Sequence, residues 1–200
     1  MNVNLLNNAK KYVNKLLFPL ENHYYHSYGH AIDVMTRAIY LAEKEGLNES
    51  DTEILALSAL FHDTGFVIQY DHNEVFGARI AKNYLKSILY PDDKIKLIES
   101  IIFATDPAYT TPKNYYEEII KDADMDNLGR DDFLQKNNDI KREIEIVKNI
   151  KIKDPDWKHA SIELLKEFKY KTNSQKYERD KKKIENLKKM INELDEDLTL

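Results

Sequence analysis

The sequence predicts an all-α protein, and three features of its 200 residues indicate this fold class. Glycine and proline, which interrupt helices, occur only five times each, whereas Lys, Glu, Leu and Ile are abundant. Apolar residues recur at the three- to four-residue spacing of a helix face, and no stretch alternates convincingly with the two-residue period of a strand. A chain of this length buries an ample core as one domain, or as one domain with an extension.

The first three helices are predicted from their stop and start signals. Residues 4–18 form the first helix, because Pro19 cannot continue it. A second helix runs from about residue 28 to residue 45 and ends at Gly46. The residues Ser50-Asp51-Thr52-Glu53 match a capping box, which places the start of the third helix at Ser50.

The later helices follow from similar signals. A fourth helix opens at Asp71 or His72. Pro91 takes a first helical position of the fifth, and the two aspartates after it suit the positive end of a helix. This helix ends near residues 104–107, and a loop follows at 107–114. The remaining predicted helices cover residues 115–121, 130–151 and 155–170.

The C-terminal segment, residues 174–200, differs in character from the rest. Its apolar residues follow a spacing of about 3.5 residues, while Lys and Glu fill the other faces. Two interpretations stay open, a helix docked on the body and a helix that pairs in a homodimer. The predicted organisation is a helical domain at 1–150 and a helical extension at 151–200. The spaced apolar residues are Tyr177, Ile184, Leu187, Ile191, Leu194 and Leu198.

Composition excludes several classes of protein. The absence of cysteine excludes a disulfide framework and a thiolate metal site. No apolar run reaches the 18 residues of a membrane span, and the N-terminus lacks the pattern of a signal peptide. A cytoplasmic protein without a membrane partner is therefore expected. The net charge of −5 argues against a nucleic-acid partner.

The stretch Leu60–Gly65 is the most informative for chemistry. An apolar helical run ends here in His62 and Asp63, with Gly65 two residues on. A helix with a buried apolar face can bury such a pair only if a partner satisfies both groups, and a metal ion does so. Adjacent helical residues point about 100° apart, so both reach one ion only near a helix end. Gly65 predicts that end just past the pair.

Two further regions supply groups of the same kind. Three of the six histidines lie within residues 23–30, where His26 and His30 have the four-residue spacing of one helix face. Asp124 ends a short helix in an acidic turn. Each residue alone has an ordinary structural explanation, as a satisfied core histidine or a capping aspartate. Together His30, His62, Asp63 and Asp124 suit Mn, Fe, Co, Ni or Zn, with positions left for water and substrate.

This order of residues resembles the H…HD…D motif of the HD superfamily of metal-dependent phosphohydrolases, and the match covers residues 23–145. Residues 25–34, YHSYGHAIDV, are similar to the YHNxxHAxDV stretch of cyclic-nucleotide phosphodiesterases, and residues 102–106, IFATD, to their IxATD segment. Residues 122–130 resemble the last motif of small bacterial HD hydrolases. The resemblance implies an HD-domain bundle of about five core helices within 1–150, with a C-terminal helical extension.

The resemblance also implies roles for individual residues. His26 would give a proton to the leaving oxygen, which an imidazole with a pKa of about 6.5 can do at neutral pH. His26 and Asp63 are the candidate catalytic residues. In the acidic turn the second aspartate, Asp124, would be the ligand, with Asp122 as the alternative. The implied metal ligands are His30, His62, Asp63 and Asp124.

The sequence departs from the better-known HD classes just after the His-Asp pair. Phosphodiesterases have HDxxH and the ppGpp hydrolases HDxxED, whereas Phe66 and Val67 stand at those positions. HD-GYP enzymes and di-iron HD oxygenases need two or more extra histidines between the His-Asp pair and the last aspartate, and in this chain only His72 lies between Asp63 and Asp124. One tightly held metal is therefore expected, with a second, weakly held metal such as Mg²⁺ near His72. The carboxylates that would serve there are Asp71, Glu74 and Asp106.

The expected function is hydrolysis of a phosphate ester or anhydride, with a small nucleotide as the substrate. The metal would lower the pKa of a bound water, and the resulting hydroxide would attack phosphorus. His72, Arg79 and Lys121 are the candidate substrate-binding residues. Two alternatives stay open: a non-catalytic nucleotide sensor or scaffold with a structural metal and, less favoured because histidines are few, a di-iron oxygenase.

Overall fold

The computed structural model describes residues 1–20 and 22–198, with side chains to residue 195. Over these residues the chain forms α-helices and 3₁₀ turns and no strand, which confirms the all-α prediction. No helix in this part is long and apolar enough to cross a membrane. The helices are α1 (Val3–Leu17), α2 (Tyr28–Lys44), α3 (Glu49–Phe61), α4 (Asn73–Ser87), α5 (Asp92–Phe103), α6 (Tyr115–Asp124), α7 (Phe133–Val147), α8 (Asp154–Glu167) and α9 (Asn173–Leu198).

Two 3₁₀ turns interrupt this order. The first, His62–Val67, directly follows α3 and is called the HD turn after its first two residues. The second, Met125–Gly129, directly follows α6 and is called the 125–129 turn. A 3₁₀ turn is tighter than an α-helix and tends to be short. Each turn therefore redirects the chain within a few residues of a helix end.

Contacts divide the described chain into two compact units. The first comprises residues 1–20 and 26–124, and the second comprises residues 22–25 and 125–198. The boundary near residue 150, between the helical domain and the C-terminal extension, stays a prediction.

The first unit is built around α3. Every residue from Thr52 to Phe61 is buried, and α1, α2, α5 and α6 all pack against this helix. A helix that is apolar on all sides must be surrounded by protein. The chain therefore reaches His62 from inside the core rather than from the surface.

The second unit has its own small core, in which α9 packs against α8 and the 125–129 turn. The predicted stripe on α9 is only partly buried: Leu194 is buried and Leu187 and Ile191 are partly buried, but Tyr177 is 91% and Ile184 50% exposed. The side chain of Leu198 lies outside the described residues. Pairing of α9 in a homodimer stays a prediction. The buried face of α9 includes polar residues that the apolar spacing did not reveal, Gln175, Lys183 and Asn186.

Several predicted helix boundaries were wrong, for local reasons. Asn48 rather than Ser50 caps α3, because its side-chain oxygen accepts a hydrogen bond from the Asp51 backbone N–H at 3.0 Å. α6 continues to Asp124 rather than residue 121. α7 begins at Phe133 rather than residue 130, since the 125–129 turn comes first.

Candidate metal centre

The HD turn places His62 and Asp63 immediately beyond the last residue of α3, and both side chains are buried. This confirms the prediction that the pair lies at a helix end. His30 comes from the first turn of α2 and is buried as well. Asp124 is the last residue of α6, with about a fifth of its side chain exposed.

Gly65 fixes the HD turn by allowing a close approach rather than by an unusual backbone conformation. Its φ is not positive, so Gly65 is not the left-handed glycine that commonly follows a helix. A Cβ at Gly65 would lie 1.8 Å from the backbone oxygen of Asn73. A Cβ at Gly77 would lie 2.6 Å from the backbone oxygen of His62. The HD turn and α4 therefore pack backbone against backbone.

Four ligand-type atoms converge at this point. The Nε2 atom of His30 lies 3.2 Å from Oδ1 of Asp124 and 3.5 Å from Oδ2 of Asp63. The Nε2 atom of His62 lies 3.0 Å from the same Asp63 oxygen and 3.5 Å from the same Asp124 oxygen. Ligand atoms of His30, His62 and Asp124 all lie within 4.8 Å of one another. Each imidazole nitrogen thus faces two carboxylate oxygens.

The hydrogen bonding of His62 tests whether these residues fit a metal. Its Nδ1 lies 2.6 Å from the backbone oxygen of Ala59, so Nδ1–H donates there and Nε2 points its lone pair into the cluster. Within the described part of the chain, this Nε2 and Oδ2 of Asp63 are buried without a hydrogen-bond partner of normal geometry. Two facing buried acceptors are costly unless a cation lies between them. The donor set therefore fits a divalent metal ion.

The electrostatics of the cluster favour positive charge at its centre. Burial alone would lower the pKa of His62, yet the carboxylates of Asp63 and Asp124 raise that pKa well above its ordinary value. Burial would raise the pKa of Asp124, but His30 and His62 hold it below its ordinary value. The pKa of Asp63 is lowered in the same way, chiefly by His62. A metal ion and protons on the imidazoles satisfy the same need, so they compete for the site.

Comparison with known proteins agrees with this geometry. A model of the HD-domain family matches residues 27–126, half of the chain. The chain belongs to the HD-domain family. A search of curated proteins found no match.

A similar solved structure is that of Bacillus subtilis YpgQ in complex with ADP. It superposes with a TM-score of 0.64 at 15% sequence identity, and the alignment covers 94% of this chain and 97% of the YpgQ chain. At this identity the likeness concerns the fold. It extends beyond the matched HD domain to most of the second unit.

His26, the predicted proton donor of this HD domain, lies beside the cluster and is half-buried. Its ring centroid is 5.9 Å from that of His30 and 4.4 Å from that of Phe66. Phe66 stands where other HD classes carry a histidine or an acidic residue. In this chain it packs on the imidazole of His26.

The expected second metal is less well supported by the geometry. Among the residues that the structure describes, the His and acidic side chains that come close enough together to hold a metal are those of the cluster around His30, His62 and Asp124, and His72 is not one of them. His72 is exposed. Glu74 is only 6% exposed, and burial, with smaller contributions from Asp106 and Asp63, raises its pKa. A second metal near His72 stays a prediction.

The predicted substrate-binding residues have varied surroundings in this HD domain. Arg79 is exposed and lies over the ring of Phe76. His72 is exposed and immediately precedes α4. The Nζ atom of Lys121 donates to the backbone oxygen of Ala104 at 2.7 Å. Lys121 thus ties α6 to the end of α5, and a role in binding phosphate stays a prediction for all three.

Sequence reasoning missed two supports of the cluster. One is Gly77, whose signal was available, since a glycine within a run of helix formers often marks a close packing contact. The other is the backbone oxygen of Ala59, which orients His62. No sequence pattern marks that contact, because any residue three positions before a histidine carries the same oxygen.

Proposed function

We propose that this HD-domain protein is a metal-dependent hydrolase of phosphate esters or anhydrides, and that its substrate is a small nucleotide. The observation that carries the proposal is the buried cluster, in which Nε2 of His62 and Oδ2 of Asp63 lie 3.0 Å apart and neither has a hydrogen-bond partner of normal geometry. Membership of the HD-domain family supports the same chemistry. The proposed ligands are His30, His62, Asp63 and Asp124.

The donor set narrows the choice of metal. Two imidazole nitrogens with two carboxylate oxygens suit Mn, Fe, Co, Ni or Zn, whereas Mg²⁺ prefers oxygen ligands alone. His30, His62, Asp63 and Asp124 would hold the divalent metal, which would supply Lewis-acid chemistry toward a phosphate oxygen and water. Because Ala59 holds the Nδ1 side of His62, the imidazole keeps its orientation whether or not substrate is bound.

The proton for the leaving oxygen would come from His26. Its ring lies next to the cluster but contributes no atom to the group of close ligands. A protonated imidazole in this position can act as a general acid. Packing against Phe66 limits the orientations of the ring.

The choice of nucleotides to test starts from the solved structure with a similar fold. YpgQ, which has a similar fold, was solved in complex with ADP. This supports starting a substrate panel with adenosine mono-, di- and triphosphates and widening it to other nucleotides and a generic phosphodiester.

The test combines metal analysis with turnover on four proteins: the natural chain and its Asp63→Ala, His26→Ala and Asp93→Ala variants. Asp93 is an exposed aspartate of α5 and serves as the control. Metal content is measured by elemental analysis, and phosphate or nucleotide release is measured after loading with Mn²⁺, Co²⁺, Ni²⁺ or Zn²⁺. We expect Asp63→Ala to lose both metal and turnover. His26→Ala should keep the metal and lose turnover by about 10²- to 10⁴-fold, and Asp93→Ala should keep both.

Other outcomes count against the proposal in distinct ways. A natural protein that binds metal but hydrolyses nothing in the panel would favour the nucleotide sensor with a structural metal. Oxygen-dependent turnover of an iron-loaded sample would favour the di-iron oxygenase. Failure to bind any of these four metals or iron would mean that the cluster is not a metal site.

A further inference from the structure

The 125–129 turn begins at the residue after Asp124. It contains one carboxylate, that of Asp126, and both oxygens of this carboxylate accept hydrogen bonds. Asp126 is only 5% exposed. Its Oδ1 accepts hydrogen bonds from Nε of Arg179 at 2.7 Å and from Nε2 of Gln175 at 3.0 Å. Its Oδ2 accepts one from Nη2 of Arg179 at 3.3 Å. With both oxygens occupied, this carboxylate is not part of the metal cluster but binds α9.

The backbone of the 125–129 turn is also held by contacts with other residues of the second unit. The side-chain amide of Asn186 donates to the backbone oxygen of Leu128 at 2.9 Å. The hydroxyl of Tyr170 donates to the backbone oxygen of Met125 at 3.1 Å. A Cβ on Gly129 would lie 2.7 Å from the backbone oxygen of Arg179, so no side chain fits between the turn and α9. The turn is therefore fixed along its whole length.

The position of Asp124 makes this fixation relevant to metal binding. Asp124 is the last residue of α6, and the ends of helices fray because their final carbonyls lack partners within the helix. A metal ligand must be held to within about 0.5 Å of its productive position. What holds the chain just beyond Asp124 therefore decides how well its carboxylate is placed.

We propose that Arg179 is a positioning residue for the metal centre, acting through Asp126. The guanidinium holds the buried carboxylate, the carboxylate holds the 125–129 turn, and the turn fixes the backbone on the far side of Asp124. The metal affinity of the cluster then depends on α9, although no residue of α9 is a ligand. This inference rests on the proposed metal centre.

The test compares Arg179→Met with Lys182→Met. Lys182 lies one turn further along α9 and is also paired with an aspartate, the exposed Asp131, so its removal takes the same charge from the same helix. Two milder variants, Arg179→Lys and Asp126→Asn, keep most of the side-chain volume. Far-UV circular dichroism establishes that each variant is folded. Calorimetric titration with Mn²⁺ or Co²⁺, and the visible absorption spectrum of bound Co²⁺, then report the metal centre itself.

We expect Arg179→Met to weaken metal binding by about 10- to 100-fold, the range typical of residues that orient a ligand, and to change the Co²⁺ spectrum. Arg179→Lys should recover part of the loss. Lys182→Met should bind metal as the natural protein does. A role of Arg179 in stability alone would lower the melting temperature and leave the affinity and spectrum unchanged.

Several results would overturn the inference. If Arg179→Met is folded and binds metal with natural affinity and spectrum, the inference is wrong. If that variant does not fold, Arg179→Lys and Asp126→Asn decide in its place, and unchanged metal binding in both overturns it equally. A natural protein that binds no metal overturns this inference together with the proposed function. Natural metal binding with unaffected variants overturns this inference only.

Discussion

The HD turn and the 125–129 turn each directly follow a helix, and each lies at proposed metal ligands. His62 and Asp63 begin the HD turn, and Asp124 immediately precedes the 125–129 turn.

The two turns are held in different ways. In the HD turn, bare backbone meets backbone at Gly65 and Gly77. The 125–129 turn also has a close backbone contact, at Gly129, but in addition side chains of α9 donate hydrogen bonds to the Leu128 backbone oxygen and to the Asp126 carboxylate. A steric contact has no room for an added atom, whereas a polar network fails when a partner is removed. The HD turn should therefore respond mainly to an added methyl group, whereas the 125–129 turn should also respond to removal of a polar partner.

The largest effect is expected from Gly65→Ala. The added methyl group would lie 1.8 Å from the backbone oxygen of Asn73, so α4 and the HD turn must move apart. Overpacking of this kind costs about 3 kcal/mol or more when backbone has to shift. Urea unfolding measures the free energy of unfolding, and Mn²⁺ titration at low urea measures whether the cluster survives. We expect both stability and metal affinity to fall.

Gly29→Ala is the matched control, since Gly29 directly precedes His30 in α2. A Cβ there meets only the Oγ atom of Ser27, at 3.5 Å, which is an ordinary contact. Alanine is about 1 kcal/mol better than glycine within a helix, so this variant should be neutral or slightly more stable. If Gly65→Ala unfolds at the same urea concentration as Gly29→Ala, the steric account of the HD turn is wrong.

A smaller effect is expected from Lys121→Met. This substitution tests whether side-chain hydrogen bonds also stabilise the first unit. The Lys121 ammonium donates to backbone oxygens of Ala104 and Asp106 at 2.7 and 3.4 Å. Loss of these bonds should cost about 1 kcal/mol of unfolding free energy. If the lysine serves structure, KM for the nucleotide should stay the same. Lys113→Met is the control, since Lys113 lies over the same Tyr109 ring but is exposed.

The opposite result would be equally informative. A rise of about tenfold in KM for Lys121→Met, with unchanged stability, would make this lysine a substrate-binding residue. A tenfold change corresponds to about 1.4 kcal/mol of binding free energy. One ion pair between the Lys121 ammonium and a phosphate oxygen can supply that amount.

The sequence predicted those features that depend on neighbours along the chain. The helical fold class follows from apolar spacing. The placement of His62 and Asp63 at a helix end follows from the run of apolar residues before them. The structure also brings together His30, His62 and Asp124, the residues that the motif order had grouped with Asp63.

Features that depend on distant residues were not predictable in this way. Asp126 and its partner Arg179 are 53 residues apart, and nothing local marks either as one of a pair. Gly65 was identified, but its close approach to α4 was not, because a sequence shows a glycine without showing what approaches it. Ser50 matched a capping box, yet Asn48, two residues earlier, holds the cap. Both are good N-caps, and only the path of the preceding loop decides between them.

The smallest effect tests this last point at the far end of the helix that leads to the HD turn. Asn48→Ala removes the side-chain oxygen that accepts from the Asp51 backbone N–H, and loss of an N-cap costs about 1 kcal/mol. Ser50→Ala removes only an exposed hydroxyl that accepts from Lys94, so its unfolding free energy should stay within about 0.5 kcal/mol of the natural value. Thermal melts of the two variants give the comparison. Because packing against α4 holds the HD turn, neither variant should change metal affinity. A weaker metal site in Asn48→Ala would mean that the cap, and not that packing, sets the position of His62 and Asp63.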